Sequence, residues 1–167
     1  SRVPKYIKHS SNINLSVIPI KNQTAQWLML WLNNYSIMFK YFISDIDGCL
    51  NDGRIYWDAH GQKPFKAFGN YDHDGVKLLR DHVKLIFISA DGHGWDILKS
   101  RVADHMKCEL HYVPEADRYN FVAQYGFDEV AYMGDGIFDA KIIRAAKLGI
   151  APAQARIEAR QAADYIT

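Results

Sequence analysis

The sequence predicts an α/β fold: a parallel sheet with helices on both faces. One observation carries this. From residue 40 onward, short apolar runs alternate with segments of helical period. Such alternation implies right-handed crossovers and strands that lie parallel beneath two helical layers. A second observation points to function as well as fold. Acidic residues recur where the apolar runs end, and ligands of such sheets bind beyond the carboxyl ends of the strands.

The elements follow in order. Residues 1–37 differ in character from the rest. A strand is conceivable over 12–20 (NINLSVIPI), although Pro19 demotes it, and a helix over 24–36 with Asn22 or Thr24 as its cap. Met38 stands where a compact domain would start, so the expected division is an N-terminal extension, 1–37, and a domain, 38–167. The first core strand is expected over 40–44. Two strands at 54–57 and 65–68, joined at Ala59-His60-Gly61-Gln62, read as a β-hairpin. A helix follows over 74–82 with Val76, Leu78 and Leu79 inward, then the strand VKLIFIS over 83–89. Residues 92–106 carry Trp95, Leu98, Val102 and Met106 at helical spacing. A strand at 109–113, a helix at 115–125, a strand at 129–133 and a helix at 137–148, ended by Gly149, complete the main pattern. Residues 150–152, 154–162 and 165–167 repeat it in miniature.

Composition narrows the function classes. The chain has 167 residues, 49% of them hydrophobic and 23% charged, which suits one packed domain. A net charge of +1 with no basic stripe argues against nucleic acid as a partner. Two cysteines, Cys49 and Cys108, are too few for a disulfide framework, so a reducing cytoplasm is expected. The apolar cluster Trp27-Leu28-Met29-Leu30-Trp31-Leu32 is far shorter than the ~20 residues that cross a bilayer, and no membrane association is expected.

The chemistry sits at the strand ends. The first strand runs into Asp45-Ile46-Asp47-Gly48, the second into Ser89-Ala90-Asp91, and the fourth into Gly134-Asp135-Gly136, with Asp139 shortly after. Asp117-Arg118 lies in the loop after the third. One aspartate at a strand end is ordinarily a helix cap. Several acids, a hydroxyl and a cation at successive strand ends are hard to explain that way. Two carboxylates held close together repel and resist desolvation, which points to a cation between them. Mg²⁺ takes hard oxygen ligands and keeps several waters. Asp45 and Asp135 can each give a carboxylate oxygen, and the main-chain carbonyl of Asp47 a third. A carboxylate can also attack phosphorus and form an aspartyl-phosphate. Asp45 would then be the nucleophile, and Asp47 would protonate the leaving oxygen and later deprotonate water. Ser89 and Arg118 would hold the phosphoryl oxygens.

Other readings fit less well. His105, Cys108 and His111 offer three zinc-type ligands, but the segment crosses from helix to strand. A phosphorelay receiver would place adjacent acids at the first strand and its acceptor at the third, whereas Ile46 separates the first pair and the third strand ends in Val113-Pro114.

The stretches that carry Asp45, Ser89, Arg118 and GDGIFD resemble motifs one to four of the haloacid dehalogenase superfamily. DIDGCLNDGRIYWDAHGQ, FGNYDHDGVKLL, AYMGDGIFDAKIIRAAKLGIAPA and ADYIT are similar to its capless subgroup, whose members act on phosphorylated sugar acids. The likeness covers about residues 38–167. It implies a Rossmann-like fold without a large cap domain, and a Mg²⁺-dependent phosphomonoesterase. Its expected metal ligands are Asp45, Asp47 and Asp135, with Asp139 in support. Its substrate would be 3-deoxy-D-manno-octulosonate 8-phosphate or a nine-carbon sugar-acid 9-phosphate. It further implies a homo-tetramer in which the segment 54–68 helps cover a neighbour's site, and it places Asp72 beside Ser89 and Arg118 among the substrate-binding residues, near the metal-side rim. Three departures stand out. Motif three is usually lysine, here Arg118; motif four usually has a second acid, here Gly136; and the subgroup often continues into a glycine-rich tail beyond the point that corresponds to Thr167. These departures support the alternative, a non-catalytic binding or assembly module of the same fold, which the intact Asp45 and Asp47 oppose.

Overall fold

The computed structural model describes residues 39–167. The expected extension 1–37, with its strand, its helix and the Trp27–Leu32 cluster, lies outside the described residues. Six strands form one parallel sheet in the order β3-β2-β1-β4-β5-β6. They are β1 (Tyr41–Asp45), β2 (Lys84–Ser89), β3 (Glu109–Tyr112), β4 (Val130–Met133), β5 (Leu148–Ala151) and β6 (Tyr165–Ile166). The connecting helices are α1 (Asn70–Leu79), α2 (Trp95–Leu98), α3 (Arg118–Ala123), α4 (Asp139–Ala145) and α5 (Ile157–Ala162). α2 runs on in π-helical form over Lys99–His105.

Strand alternation sorts the core into two layers, because successive side chains point to opposite faces. Phe42, Leu85, Phe87, Ala131 and Met133 face α1 and α2, meeting Val76, Leu79, Leu98, Val102 and Met106. Ile43, Ile86, Ile88, Val130 and Tyr132 face the other way, onto Val122 of α3, Ile142 and Ile143 of α4 and Ala159 of α5. The sheet is therefore covered on both faces, and no large cap interrupts it among the described residues. The chain steps outward from β1 to β3 and then returns to the other side of β1 as β4. The order reverses between β1 and β4, where a crevice opens at the strand ends.

Several elements differ from expectation. The strands expected at 54–57 and 65–68 form no ladder. This excursion doubles back on an Asp58–Gln62 turn (Asp58 N to Gln62 O, 3.0 Å) and closes at its base through one antiparallel bridge, Asn51–Phe68. Its large apolar side chains face solvent, Trp57 and Phe65 at 57% and 61% exposure, and a two-stranded ribbon without packing is marginal in water. α1 begins at Asn70, earlier than expected, and Leu78 is exposed rather than inward. Gly149 does not end a helix. It lies within β5, where a Cβ would stand 2.2 Å from the Ile143 carbonyl oxygen, so glycine permits the close approach of strand to α4. No helix among the described residues is long and apolar enough to cross a membrane.

Candidate active site

The carboxyl ends of β1, β2 and β4 and the start of α3 enclose a cavity of about 370 Å³. Asp45, Asp47, Ser89, Arg118, Asp135 and Asp139 all line it. The fold thus brings together six of the seven side chains singled out in the sequence. The seventh, Asp72, lies in the first turn of α1 and lines a separate hollow with Asn51, Gly69 and Gln154. Because α1 starts at Asn70, Asp72 lies beside the loop after β1, apart from the cavity that holds Ser89 and Arg118.

The turn after β1 is built around Asn51. The amides of Cys49, Leu50 and Asn51 all point to the Ile46 carbonyl. The Asn51 side-chain oxygen accepts from Gly48 N and Gly53 N, and its amide donates to Asp47 Oδ1 at 2.8 Å. Gly48 adopts φ +88°, and a Cβ there would lie 2.0 Å from Asp135 Oδ2. Only glycine lets the β1 turn close onto the Asp135 carboxylate.

Arg118 is a buried cation of the site. Its Nη1 lies 2.8 Å from Asp139 Oδ1 and 3.2 Å from Asp45 Oδ2. Asp139 Oδ1 also accepts from the Tyr132 hydroxyl at 2.6 Å, and Asp139 Oδ2 from Gly136 N at 2.9 Å. Both Asp139 oxygens are therefore held by protein donors. Asp139 fixes Arg118, and Arg118 reaches Asp45.

Three carboxylates, Asp45, Asp135 and Asp139, offer oxygens within 4.8 Å of one another. Burial pushes Asp45 up to about 8 from 3.8; Arg118 opposes the rise, while Asp139 and Asp135 add to it. Burial, then repulsion from Asp139, pushes Asp135 up to about 6. Carboxyls so crowded are short of positive charge, and hard oxygens at this separation suit Mg²⁺. With Asp139 already engaged, Asp45 and Asp135 are the carboxylates left to face a cation.

Lys63, Lys66, Asp91 and Tyr132 escaped the sequence reading as site residues. Lys66 Nζ donates to Asp47 Oδ1 at 2.5 Å and sits 2.7 Å from Asp91 Oδ2, while Lys63 Nζ lies 2.8 Å from Asp91 Oδ1. Both lysines belong to the excursion 54–68, and no local pattern marks them. Asp91 gave a signal, since it follows Ser89 at a strand end. Tyr132 reads as a core residue of β4. His93, in the turn Gly92-His93-Gly94, also lines the cavity. The zinc-type triplet does not assemble: His105 pairs with Arg101, Cys108 with the Met106 carbonyl and His111 with Glu109.

No protein-family profile matches this chain. Among characterised proteins it is 30% identical over 134 residues to the 3-deoxy-D-manno-octulosonate 8-phosphate phosphatase KdsC of Haemophilus influenzae, covering 76% of this chain and 72% of that one. It is 27% identical over 136 residues to the N-acylneuraminate cytidylyltransferase of Oncorhynchus mykiss, covering 75% of this chain but only 31% of that much longer protein. Among solved structures it is similar to the 3-deoxy-D-manno-octulosonate 8-phosphate phosphatase of Moraxella catarrhalis in complex with magnesium ion, phosphate ion and KDO. The identity is 26%, the TM-score 0.65, and the match covers 79% of this chain and 78% of that one. With the motifs at three strand ends and the start of α3, and this degree of likeness, the chain belongs to the KdsC-like (YrbI) phosphatases of the haloacid dehalogenase superfamily.

Proposed function

We propose that this protein hydrolyses a phosphorylated sugar acid, 3-deoxy-D-manno-octulosonate 8-phosphate or a nine-carbon 9-phosphate, through an aspartyl-phosphate on Asp45. The observation that carries it is the arrangement around Asp45: a buried carboxylate at the end of β1, with Arg118 at 3.2 Å, in the same cavity as Asp47 and Ser89.

Asp45 attacks phosphorus, and the bond from phosphorus to the ester oxygen breaks. Asp47, in its acid form, gives its proton to that oxygen as the alcohol leaves. Asp47, now a carboxylate, takes a proton from water as the water attacks the aspartyl-phosphate. The acyl–phosphate bond breaks, Asp45 is restored, and inorganic phosphate departs. Ser89 and Arg118 hold the phosphoryl oxygens throughout, in a setting where fixed charges act more strongly than in water. Asp45 and Asp135, with the Asp47 carbonyl, are the residues to hold Mg²⁺, which would neutralise the crowded carboxylates and the phosphoryl charge.

The names of the relatives in both sugar-acid families support the substrate class. The solvent-facing Ile55, Trp57 and Phe65 support assembly, as a homo-tetramer, through the excursion 54–68. The free Cys49 and Cys108 are consistent with a cytoplasmic setting. The deciding assay offers a panel of sugar phosphates with Mg²⁺ and with chelator. Hydrolysis of an eight- or nine-carbon sugar-acid phosphate above all others, and only with the metal, is expected. Equal rates across the panel, or full activity in chelator, would refute the reading.

A further inference from the structure

The excursion 54–68 is held to the domain by charge. Apart from Phe68, which packs against the core at its base, its apolar side chains are largely exposed and it forms no ladder, so neither burial nor backbone pairing seats the rest of it. Two of its lysines converge instead on one carboxylate. Asp91 takes Lys63 on Oδ1 at 2.8 Å and Lys66 against Oδ2 at 2.7 Å. The Lys66 and Asp91 side chains keep only 7% and 9% of their exposure. Asp91 is itself fixed on the β2 side: its N–H donates to Ser89 Oγ at 3.0 Å, and Oδ1 accepts from Gly94 N at 3.2 Å. Burial would raise its carboxyl, but the bonds from Lys63, Lys66 and Gly94 prevail and hold it well below the ordinary range.

The same Lys66 ammonium meets Asp47 Oδ1, the carboxylate to which proton transfer is assigned. A lysine is a point charge on a flexible stem and has no direction of its own. One contact, to Asp47, would leave it free to swing with its loop. The second, to Asp91, fixes it between a strand end and the motif-one turn.

We propose that Asp91 is a positioning residue for Asp47: it holds Lys66 against the Asp47 carboxylate and, through Lys63, seats the excursion on the cavity rim. This rests on the phosphatase reading above. Asp91 acts on the reaction through Asp47, so its loss must show where proton donation to the leaving oxygen matters.

The test compares kcat/KM for 3-deoxy-D-manno-octulosonate 8-phosphate with that for p-nitrophenyl phosphate, whose aryl oxide leaves without a proton. Asp91→Asn and Lys66→Met are each expected to lose about tenfold or more on the sugar-acid ester and under about threefold on the aryl ester. The double variant should be no worse than the poorer single one, since the two residues act as a unit. Amides of 54–68 should exchange with deuterium faster in Asp91→Asn. Equal losses on both esters, additive losses in the double variant, or unchanged exchange would overturn the role of Asp91. A wild-type protein that hydrolyses neither ester would overturn the phosphatase reading itself, and the role of Asp91 with it.

Discussion

Arg118 and Asp139, 21 residues apart in the chain, meet in a buried ion pair of 2.8 Å that reaches on to Asp45. The helix–strand unit α3–β4 between them folds the start of α3 back against the start of α4. Removing one member of such a pair leaves the other charge buried and uncompensated. Arg118→Met should therefore destabilise the fold by about 3–5 kcal/mol, as read by urea denaturation, and abolish turnover. A loss below about 1 kcal/mol would show that the pair contributes little.

Asp45→Asn tests the nucleophile. The amide is nearly isosteric but cannot form the acyl-phosphate. Turnover should fall below about a tenth of the wild-type kcat, a barrier change of at least about 1.4 kcal/mol, while the fold is kept. Activity above that level would remove Asp45 from its role.

The crowded carboxyls predict a pH dependence for the metal-free protein. Asp45 and Asp135 have folded-state values of about 8 and about 6, raised above the ordinary 3.8. The folded state then binds more protons than the unfolded one across that window. Stability from these groups is full below about pH 4 and is lost as pH rises toward about 8. In chelator, Tm should fall over this range. Saturating Mg²⁺ should raise Tm at pH 8 and flatten the slope, because a ligand of the folded state stabilises it. A chelated protein as stable at pH 8 as at pH 5 would contradict the crowding.

Gly48→Ala places a Cβ at φ +88° and 2.0 Å from Asp135 Oδ2. Backbone strain alone costs about 1–2 kcal/mol, and Asp135 must move. Calorimetric titration should show Mg²⁺ affinity reduced by about tenfold or more, beyond what a fall in Tm explains. Unchanged affinity would mean that Asp135 is not a ligand.

Assembly is tested by light scattering. The mass should stand well above the 19.2 kDa monomer, and Trp57→Ala with Phe65→Ala should lower both mass and activity. A fully active monomer at micromolar concentration would defeat the proposal.

The sequence alone determined the α/β class, the succession of strands and helices outside the excursion 54–68, and the acids at the strand ends. These are local facts: an apolar run that stops at an aspartate, or a glycine beside an acid, is written in adjacent residues. Asp45, Asp47, Ser89, Arg118, Asp135 and Asp139 were legible for that reason, since in a parallel sheet every strand end opens on the same rim. The tertiary structure alone decided what depends on distance in space. It set the order β3-β2-β1-β4-β5-β6, and with it the reversal between β1 and β4. It set Asp72 in a hollow apart from the cavity, drew the Tyr132 hydroxyl to Asp139, and brought Lys66 to Asp47 from an excursion with no ladder. Periodicity reports which face a side chain takes within its own element. It carries no record of which distant charge a loop lysine will find, because that pairing is selected by the desolvation and Coulomb terms of the closed site.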